Sequence, residues 1–313
     1  PSLTFMMIRM AYTGLCLLST FCRKGMRPVL KRQKTTSVSV FNIDDSVLVG
    51  SIGEISLIGV NRPDSRNSID ISTAKRLKEA FFNFESNNNM TVAVLYGVGG
   101  NFSSGFDYKE LCNRNTMELE AWLNCNKSSL GVTKMMTKKP VIAAINGYAI
   151  GAGMELALWC DLRVVEETAI MGLLSRRFGS PMVDGGSYRL PKLIGLSRAL
   201  DLVLTGRQIN GKEALEMGLA NRLVACGSAL GQAVNLANSL IKFPQRCIEN
   251  DRNNLYYSTF QSTCAEDALD NELEGSMKLL DNEVKEGAKK FVDGLGRHGK
   301  FHLDNSKKKT FSV

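Results

Sequence analysis

Apolar and polar residues alternate along residues 44–245 in a succession of short strands and amphipathic helices. Two β-branched runs, at 47–49 and 55–60, flank Gly53 and predict a hairpin. Apolar residues then recur at helical spacing from Asp70 to residue 86, and an apolar strand follows at 91–97. The next loop is dense in Gly and Ser, a composition typical of a loop that builds a site between rigid elements.

The second half of this region is more helical. A long amphipathic helix is predicted around 117–136. Within 138–165, the buried strand VIAAI is followed by a glycine-containing turn at 146–153 and by an apolar helix with one acid, Glu155. The charged segment 262–291 predicts a helix that faces solvent or covers another subunit.

The charge of this 313-residue chain is concentrated at its two ends. The net charge is +8, but residues 1–43 carry seven basic and no acidic side chains, which leaves +1 for the rest. Without the run of lysines at 307–309, the remaining body carries −2. This distribution argues against nucleic acid as a partner of the folded body.

The positions of the cysteines and histidines limit the kinds of catalytic site that this chain can form. The eight cysteines include no C-x-x-C pair and fall mostly in apolar stretches, which predicts buried free thiols in a reducing compartment. The two histidines, His298 and His302, lie near the end of the chain. The sequence therefore predicts no metal site, no redox cofactor and no histidine triad in the body, and leaves carboxylates, backbone amides and hydroxyls for catalysis.

The first 43 residues have the composition of a leader. Residues 11–22 are uncharged but shorter than the roughly 20 apolar residues that span a membrane, so no membrane span is expected. The basic, Ser/Thr-rich and acid-free remainder fits a mitochondrial transit peptide best, with a secretory signal or an untargeted disordered leader as alternatives. We therefore expect a mitochondrial matrix location, with the cytoplasm as the alternative.

Two loops can point free backbone amides at a ligand. Residues 105–107 and 151–153 each follow an apolar segment and open a helix. Such a pair of donors suits an acyl-transfer or enolate-forming enzyme, because each fixed donor stabilises an oxyanion by about 3–4 kcal/mol. Either loop alone is more typical of a simple tight turn, and only the pair favours an oxyanion hole.

Glu155 is a carboxylate in an otherwise apolar helix start. Burial would raise its pKa and let it act as a general acid or base near neutral pH. The alternative is an acid in the first turn that only complements the helix dipole.

Five segments resemble, in order and spacing, the enoyl-CoA hydratase/isomerase (crotonase) superfamily, and the match covers roughly residues 45–245. They are NRPDSRNSID (61–70), NFSSGFDYKEL (101–111), KKPVIAAINGYAIGAGMELALWCDLRV (138–164), GGSYRLPKLIG (185–195) and LTGRQINGKEALEMGLANRLV (204–224). The resemblance implies an α/β fold of the crotonase (ClpP-like) type, a spiral of ββα repeats in 44–245. It also implies a C-terminal helical region at 246–313 that builds a homotrimer or a dimer of trimers, and an acyl-CoA thioester as substrate with no separate cofactor.

The resemblance further implies which residues form the site. The amides of Phe106 and Ala152 match the oxyanion-hole positions. Substrate-binding residues expected along the acyl-CoA are Ser104, Gly105, Asp107, Tyr108, Lys109 and Ser175. Arg62 and Arg66 match the stretch that meets the nucleotide end in relatives and are candidate phosphate partners, or else residues of a solvated loop.

Family hydratases use two glutamates, and this chain matches one of them. Glu155 corresponds to the glutamate that positions water, whereas Ser175 stands at the second position, where a serine needs activation to act as an acid or base near pH 7. Asp184 lies close to the catalytic aspartate of relatives that isomerise dienoyl-CoA or displace halide. We expect it to face the acyl pocket and to form the catalytic acid/base pair with Glu155, with Arg176 or Arg177 beside it, or else to cap a turn.

Three functions are consistent with these residues. The leading hypothesis is an enoyl-CoA hydratase-like lyase of mitochondrial fatty-acid or amino-acid catabolism. The second keeps the fold and changes the reaction to isomerisation or decarboxylation, for which one carboxylate suffices. The third is a catalytically silent homologue that binds CoA thioesters.

Overall fold

A computed structural model describes residues 38–44 and 46–296. The predicted leader up to residue 37, both histidines and the lysine run at 307–309 lie outside the described residues. The described chain divides into two compact units, one with residues up to 135 and 141–237, the other with residues 136–140 and those from 238 onward. Residues 38–43, which the sequence assigns to the leader, belong to a strand of the first unit.

The first unit is built on two β-sheets. Its strands are β1 (Val38–Asp44), β2 (Val47–Ile52), β3 (Ile55–Val60), β4 (Val92–Gly97), β5 (Val141–Ile145), β6 (Tyr148–Ile150), β7 (Leu162–Glu166), β8 (Ile170–Gly172), β9 (Ile209–Asn210) and β10 (Arg222–Val224). One sheet has the order β1-β2-β3-β4-β5-β7-β10 and the other the order β6-β8-β9. The predicted hairpin is confirmed, because β2 pairs antiparallel with β3. In the larger sheet, the neighbouring strands from β3 to β10 are parallel, as helical crossovers require.

Helices connect these strands and form most of the second unit. They are α1 (Ile71–Ser86), α2 (Tyr108–Asn113), α3 (Thr116–Asn126), α4 (Ala152–Trp159), α5 (Gly186–Ile194), α6 (Leu196–Thr205), α7 (Gly211–Glu216), α8 (Ala229–Leu240), α9 (Gln245–Phe260), α10 (Ala265–Met277) and α11 (Lys285–Val292).

Helix α1 shows how directly the sequence specifies local structure. The Asp70 side chain accepts a hydrogen bond from the backbone N–H of Thr73 at 2.7 Å, which caps the helix as predicted. The apolar residues that recur at helical spacing are all buried, and Phe81 packs edge-on against Trp159 of α4 with ring centroids 4.8 Å apart. The pattern of this segment therefore determines both its helix and its buried face.

The prediction of a long helix around 117–136 is wrong for the second half of that segment. Helix α3 ends at Asn126, and Lys127 adopts the left-handed conformation with φ 55°. The residues that follow are buried, and several of them donate hydrogen bonds to Asp184, more than fifty residues later in the chain. Helical spacing of apolar residues cannot reveal such a contact, because the partner that ends the helix is distant in sequence.

The second unit is helical, and its predicted continuous helix is interrupted. The segment 262–291 contains α10 and α11, separated by a single π-helical stretch at Leu280–Val284. Within this unit the Tyr257 hydroxyl donates to Asp267 at 2.7 Å, which joins α9 to α10. The charged composition of these helices agrees with their exposure.

The expectation of mostly buried thiols is wrong for the described cysteines. Cys160 is buried and Cys247 is half-buried, but four others are exposed: Cys112, Cys125, Cys226 and Cys264. Apolar neighbours in sequence do not decide exposure, because adjacent residues of a helix point to different faces. Among the residues that the structure describes, no helix is both long enough and apolar enough to cross a membrane.

Candidate active site

Two backbone loops of the first unit approach each other closely at Gly105. A Cβ built on Gly105 would lie 2.9 Å from the amide nitrogen of Ala152, and the glycine has φ +92°. Neither the Phe106 nor the Ala152 N–H forms a hydrogen bond with any described residue. Both residues border the same cavity. The arrangement leaves two amide donors available for an oxyanion, as the paired loops predict.

Ser103 holds the two loops together. Its backbone N–H donates to the Tyr148 carbonyl at 2.9 Å, and its carbonyl accepts from the Ile150 N–H at 3.1 Å. Its buried hydroxyl donates to the Asn67 carbonyl and accepts from the Gly105 N–H. Sequence reasoning missed this residue, because a serine in a polar loop carries no signal that its backbone pairs with a distant strand.

The Glu155 side chain lies at the floor of the cavity and is 2 % exposed. Its Oε1 accepts hydrogen bonds from the Gly186 N–H at 2.8 Å and from the Asp184 N–H at 3.1 Å. Its Oε2 forms no hydrogen bond with any described residue. One oxygen of the carboxylate is therefore anchored, and the other is available to a ligand.

Burial and a neighbouring negative charge raise the pKa of Glu155 to about 7. Burial is the largest cause and the Asp184 carboxylate the second, while the two amides and the Arg189 guanidinium oppose them. A carboxyl with this pKa can both take and give a proton near neutral pH, as the sequence predicts for a buried Glu155. A Cβ on Gly186 would lie only 2.9 Å from Oε1, so a glycine there lets the amide approach.

Asp184 borders the cavity, but its carboxylate is fully engaged elsewhere. One oxygen accepts from the Leu130 N–H at 3.0 Å and the Thr133 hydroxyl at 2.7 Å, and the other accepts from the Ser129 hydroxyl. Asp184 is completely buried. The arginine beside it is Arg189, which donates to the Asp184 backbone carbonyl at 2.9 Å.

Neither arginine that the sequence offers as a partner for Asp184 has a recorded bond to it. Arg177 donates to the Gly206 carbonyl at 2.9 Å instead. Arg176 is exposed, and no hydrogen bond from its side chain is present among the described residues. Both lie in a short 3-10 turn at Leu174–Phe178.

Ser175 also borders the cavity, in the place where the resemblance leads one to expect a second glutamate. Its hydroxyl lies 3.6 Å from the position that a Cβ on Gly151 would occupy, so the serine faces the turn that carries the Ala152 amide. The hydroxyl forms no hydrogen bond with a described residue. A neutral hydroxyl at this position can bind a polar atom but cannot exchange protons as a carboxylate does.

The cavity has a volume of about 180 Å³ and is mostly apolar. Its apolar wall comes from Leu119, Trp122 and Leu123, which share one face of α3, together with Leu111 of α2. The Trp122 indole N–H donates to the Ser129 carbonyl at 3.0 Å and so has a defined position. Sequence reasoning missed this wall, although the spacing of three and four residues on one helix was the available signal.

The remaining predicted residues separate into those at the cavity and those beside it. Ser104 and Tyr108 border the cavity, and Tyr108 contacts the Phe178 ring edge-on at 6.0 Å. Asp107 and Lys109 border a separate polar cleft of about 400 Å³ instead.

Asp107 and Arg62 belong to one ionic cluster. Arg62 forms ion pairs with Asp70 at 3.1 Å and Asp107 at 3.0 Å. Burial alone would raise the pKa of Asp107, but hydrogen bonds from Ser68 and Lys109 and the Arg62 charge outweigh it and hold the pKa below its usual value. Arg62 is therefore already neutralised by carboxylates.

Arg66 is exposed and lies over the Tyr148 ring, with its guanidinium carbon 5.1 Å from the ring centroid. Of the two arginines proposed as phosphate partners, it is the one for which the structure records no carboxylate partner. Among the described residues, no group of three or more His, Cys, Asp or Glu side chains gathers as metal ligands do.

A family model described as enoyl-CoA hydratase/isomerase matches residues 51–298. The chain belongs to the enoyl-CoA hydratase/isomerase family. It is 30% identical over 205 residues to the short-chain-enoyl-CoA hydratase of Clostridium acetobutylicum, covering 63% of this chain and 76% of that protein. It is 35% identical to the enoyl-CoA isomerase/hydratase claC of Penicillium crustosum over 198 residues, which are 61% of this chain and only 22% of that protein.

The crotonase fold that the resemblance implies is confirmed by solved structures of this family. The chain superposes on the crystal structure of an enoyl-CoA hydratase from Mycobacterium tuberculosis H37Rv with a TM-score of 0.73. The sequences are 29% identical, and the match covers 80% of this chain and 96% of that one. The family and the fold therefore agree with the oxyanion-type site described above.

Proposed function

We propose that this family member binds the acyl group of a CoA thioester in the cavity and moves a proton at its α-carbon, with Glu155 as the only acid/base. The observation that carries this proposal is the contrast between the two carboxylates at the cavity. Glu155 has one oxygen without a hydrogen bond to any described residue, whereas both oxygens of Asp184 are occupied by buried donors. Ser175 supplies no second carboxylate.

The reaction that best fits one carboxylate is the shift of a double bond along the acyl chain. Glu155 takes a proton from the α-carbon of a 3-enoyl thioester, and the C–H electron pair moves toward the carbonyl. The resulting negative oxygen accepts hydrogen bonds from the Phe106 and Ala152 amides. The protonated Glu155, whose proton can exchange with solvent in the meantime, then gives a proton to the γ-carbon, which leaves a 2-enoyl thioester and restores the carboxylate.

Hydration of a 2-enoyl thioester is the second candidate, favoured by the name of the Clostridium relative. With one carboxylate, Glu155 would take a proton from water as the oxygen adds to the β-carbon, and would then pass that proton to the α-carbon. In this route one side chain must act first on the water at the β-carbon and then on the α-carbon. The pair of Glu155 and Asp184 that the sequence suggested is the less suitable arrangement, because Asp184 has no unoccupied oxygen.

The test follows both reactions with purified full-length protein. We expect conversion of a short 3-enoyl-CoA to the conjugated 2-enoyl-CoA, seen as rising absorbance, and exchange of the α-hydrogen in deuterated water, seen by mass. The same protein is then given 2-enoyl-CoA to measure hydration. If the protein hydrates 2-enoyl-CoA but does not convert 3-enoyl-CoA, the leading reaction is wrong and hydration takes its place.

Two variants distinguish a catalytic carboxylate from a structural one. Glu155→Gln removes the acid/base group, and Glu166→Gln removes a buried carboxylate of β7 that accepts from the Ala229 N–H. We expect only Glu155→Gln to abolish exchange. Retained activity in Glu155→Gln would contradict the proposal, and acyl-CoA binding without exchange in the wild type would identify a silent homologue.

We also propose that the protein is a homotrimer or a dimer of trimers in the mitochondrial matrix. The family resemblance supports the assembly, and the acid-free basic composition of residues 1–43 supports the location. Mass measured in solution tests the first statement. Imaging of a full-length fusion beside one without residues 1–37 tests the second, and cytoplasmic signal from both would contradict it.

A further inference from the structure

A chain of hydrogen bonds connects the acyl wall of the cavity to Glu155. The Trp122 indole donates to the Ser129 carbonyl at 3.0 Å, and the Ser129 hydroxyl donates to the Asp184 carboxylate. The Asp184 N–H in turn donates to the Glu155 carboxylate at 3.1 Å. Asp184 is therefore the residue at which the wall and the catalytic group meet.

Buried donors hold both oxygens of the Asp184 carboxylate. All three donors are buried, and they come from one short segment, 129–133. Two hydroxyls and one amide donate to this carboxylate, so neither of its oxygens lacks a partner. Because Asp184 has no exposed surface, water screens its effect on Glu155 only weakly.

We propose that Asp184 is a positioning residue of this enzyme: its carboxylate fastens segment 129–133 as the cavity wall, while its backbone N–H and its fixed charge set the orientation and the proton affinity of Glu155. This inference rests on the proposed function of Glu155 and assigns Asp184 no proton transfer of its own. It replaces the acid/base role that the sequence suggests for Asp184.

Few other charged groups act on Glu155. Arg189 of α5 opposes the effect of Asp184, and it also donates to the Asp184 and Thr133 carbonyls at 2.9 and 2.6 Å. Tyr108 is the titratable residue that borders the cavity from α2. The net field at Glu155 therefore depends on the balance of Asp184 against Arg189, and removal of Asp184 would leave Arg189 to favour the carboxylate.

Asp184→Asn removes the charge with the least disturbance. The Asn oxygen can still accept from the Leu130 N–H and the Thr133 hydroxyl, and its NH₂ can donate to the Ser129 hydroxyl, which reverses its role. Thr133→Val is the matched control, because it removes one hydrogen bond to Asp184 and leaves the charge. Asp184→Ser, with room for a water among the three donors, replaces Asp184→Asn if that variant does not fold.

The experiment titrates the Glu155 carboxyl directly in the full-length protein. Infrared difference spectra against pH identify its C=O band by the loss of that band in Glu155→Gln. We expect a wild-type midpoint near 7, a midpoint lower by roughly one pH unit in Asp184→Asn, and no fall in Thr133→Val. The acid limb of kcat/KM is expected to move with the midpoint.

An unchanged midpoint in Asp184→Asn or Asp184→Ser would overturn the inference and leave Asp184 a structural residue. Equal downward shifts in Thr133→Val and Asp184→Asn would overturn it as well, because loss of packing would then explain both. The infrared midpoint does not require turnover. A wild type without activity would contradict the proposed function alone, and the titration would still decide the role of Asp184.

Discussion

The backbone N–H of Asp184 donates to Oε1 of Glu155 at 3.1 Å, so the two residues meet backbone to side chain and not carboxylate to carboxylate. The Asp184 carboxylate points instead to the segment that contains Ser129 and Thr133. One residue thereby anchors the Glu155 carboxylate and supports the wall of its cavity. This relationship explains how two acids can occupy one buried place with different roles.

Glu155→Gln is expected to lower kcat/KM by about 10²–10⁴-fold, because the amide cannot exchange a proton. The Gln oxygen can still accept from the Gly186 and Asp184 amides, so the fold is retained. Steady-state rates with circular dichroism as a check on folding measure both. If circular dichroism shows that the variant is unfolded, the expectation of a retained fold is wrong, and the lower rate does not report on proton transfer.

Stability is expected to depend on pH through Glu155. Its pKa is about 7 in the folded protein and near 4.5 when exposed in the unfolded chain. Between these values the folded state holds a proton that the unfolded state has lost, so the free energy of unfolding falls as pH rises from 4.5 to 7 and is constant above. The expected change is about 3 kcal/mol.

Urea unfolding at pH 5 and pH 8 checks this dependence. Glu155→Gln should remove this contribution, so that its stability relative to the wild type increases between the two values. An equal change in both proteins would show that other groups cause the pH dependence. Glu166→Gln provides the comparison for loss of a buried carboxylate elsewhere.

Gly105→Ala is expected to disrupt the oxyanion site. The added Cβ would lie 2.9 Å from the Ala152 nitrogen, which must shift. Gly100 has the same φ of +92° with nothing within 4 Å of its Cβ position, so Gly100→Ala carries the same backbone strain without the collision. We expect kcat/KM to fall by about 10²-fold or more only in Gly105→Ala. Similar losses in both would attribute the effect to strain.

Trp122→Leu is expected to shift the preference toward longer acyl chains, because the indole closes one side of the cavity. We expect the ratio of kcat/KM for long over short acyl-CoA to rise about tenfold, since each buried methylene contributes about 0.8 kcal/mol of binding and the space of the indole admits about two of them. Met117→Leu, at a position 79 % exposed on the same helix, is the control. An unchanged ratio would show that Trp122 does not determine the preferred acyl-chain length.

Arg66 and Arg62 are expected to differ when replaced by alanine. Arg66 has its guanidinium over the Tyr148 ring and available to a phosphate, so Arg66→Ala should raise KM about tenfold with kcat retained. Arg62→Ala leaves Asp70 and Asp107 without their ion pairs and should lower stability by about 1–3 kcal/mol. Arg198→Ala, at an exposed position of α6, is the control. An unchanged KM in Arg66→Ala would contradict a role in binding.

The candidate site could be predicted from the sequence wherever local pattern and function coincide. The glycines at 105 and 151 and the acid at Glu155 mark the turn and the helix start that carry them. The site could not be predicted where contacts join distant segments. Ser103 gained its role only when a strand more than forty residues later supplied its hydrogen-bond partners, and Trp122 when the segment after its helix folded back to accept from its indole.

Asp184 shows the same limit most clearly. Its sequence neighbours permit either a turn cap or a carboxylate in the pocket. Its three donors lie 51 to 55 residues earlier, in a segment whose apolar spacing predicts helix. No local pattern could place that segment against it.

The sequence by itself determined the elements of this protein, because strands, helix faces and caps follow from the period of apolar residues and from the conformations that Gly, Asp and Asn favour. It also determined the family, through segments in fixed order and spacing. Only the tertiary structure decided the protonation chemistry. The pKa of Glu155 and the engagement of Asp184 depend on burial and on charges that distant parts of the chain bring together, and those distances exist only in the folded molecule.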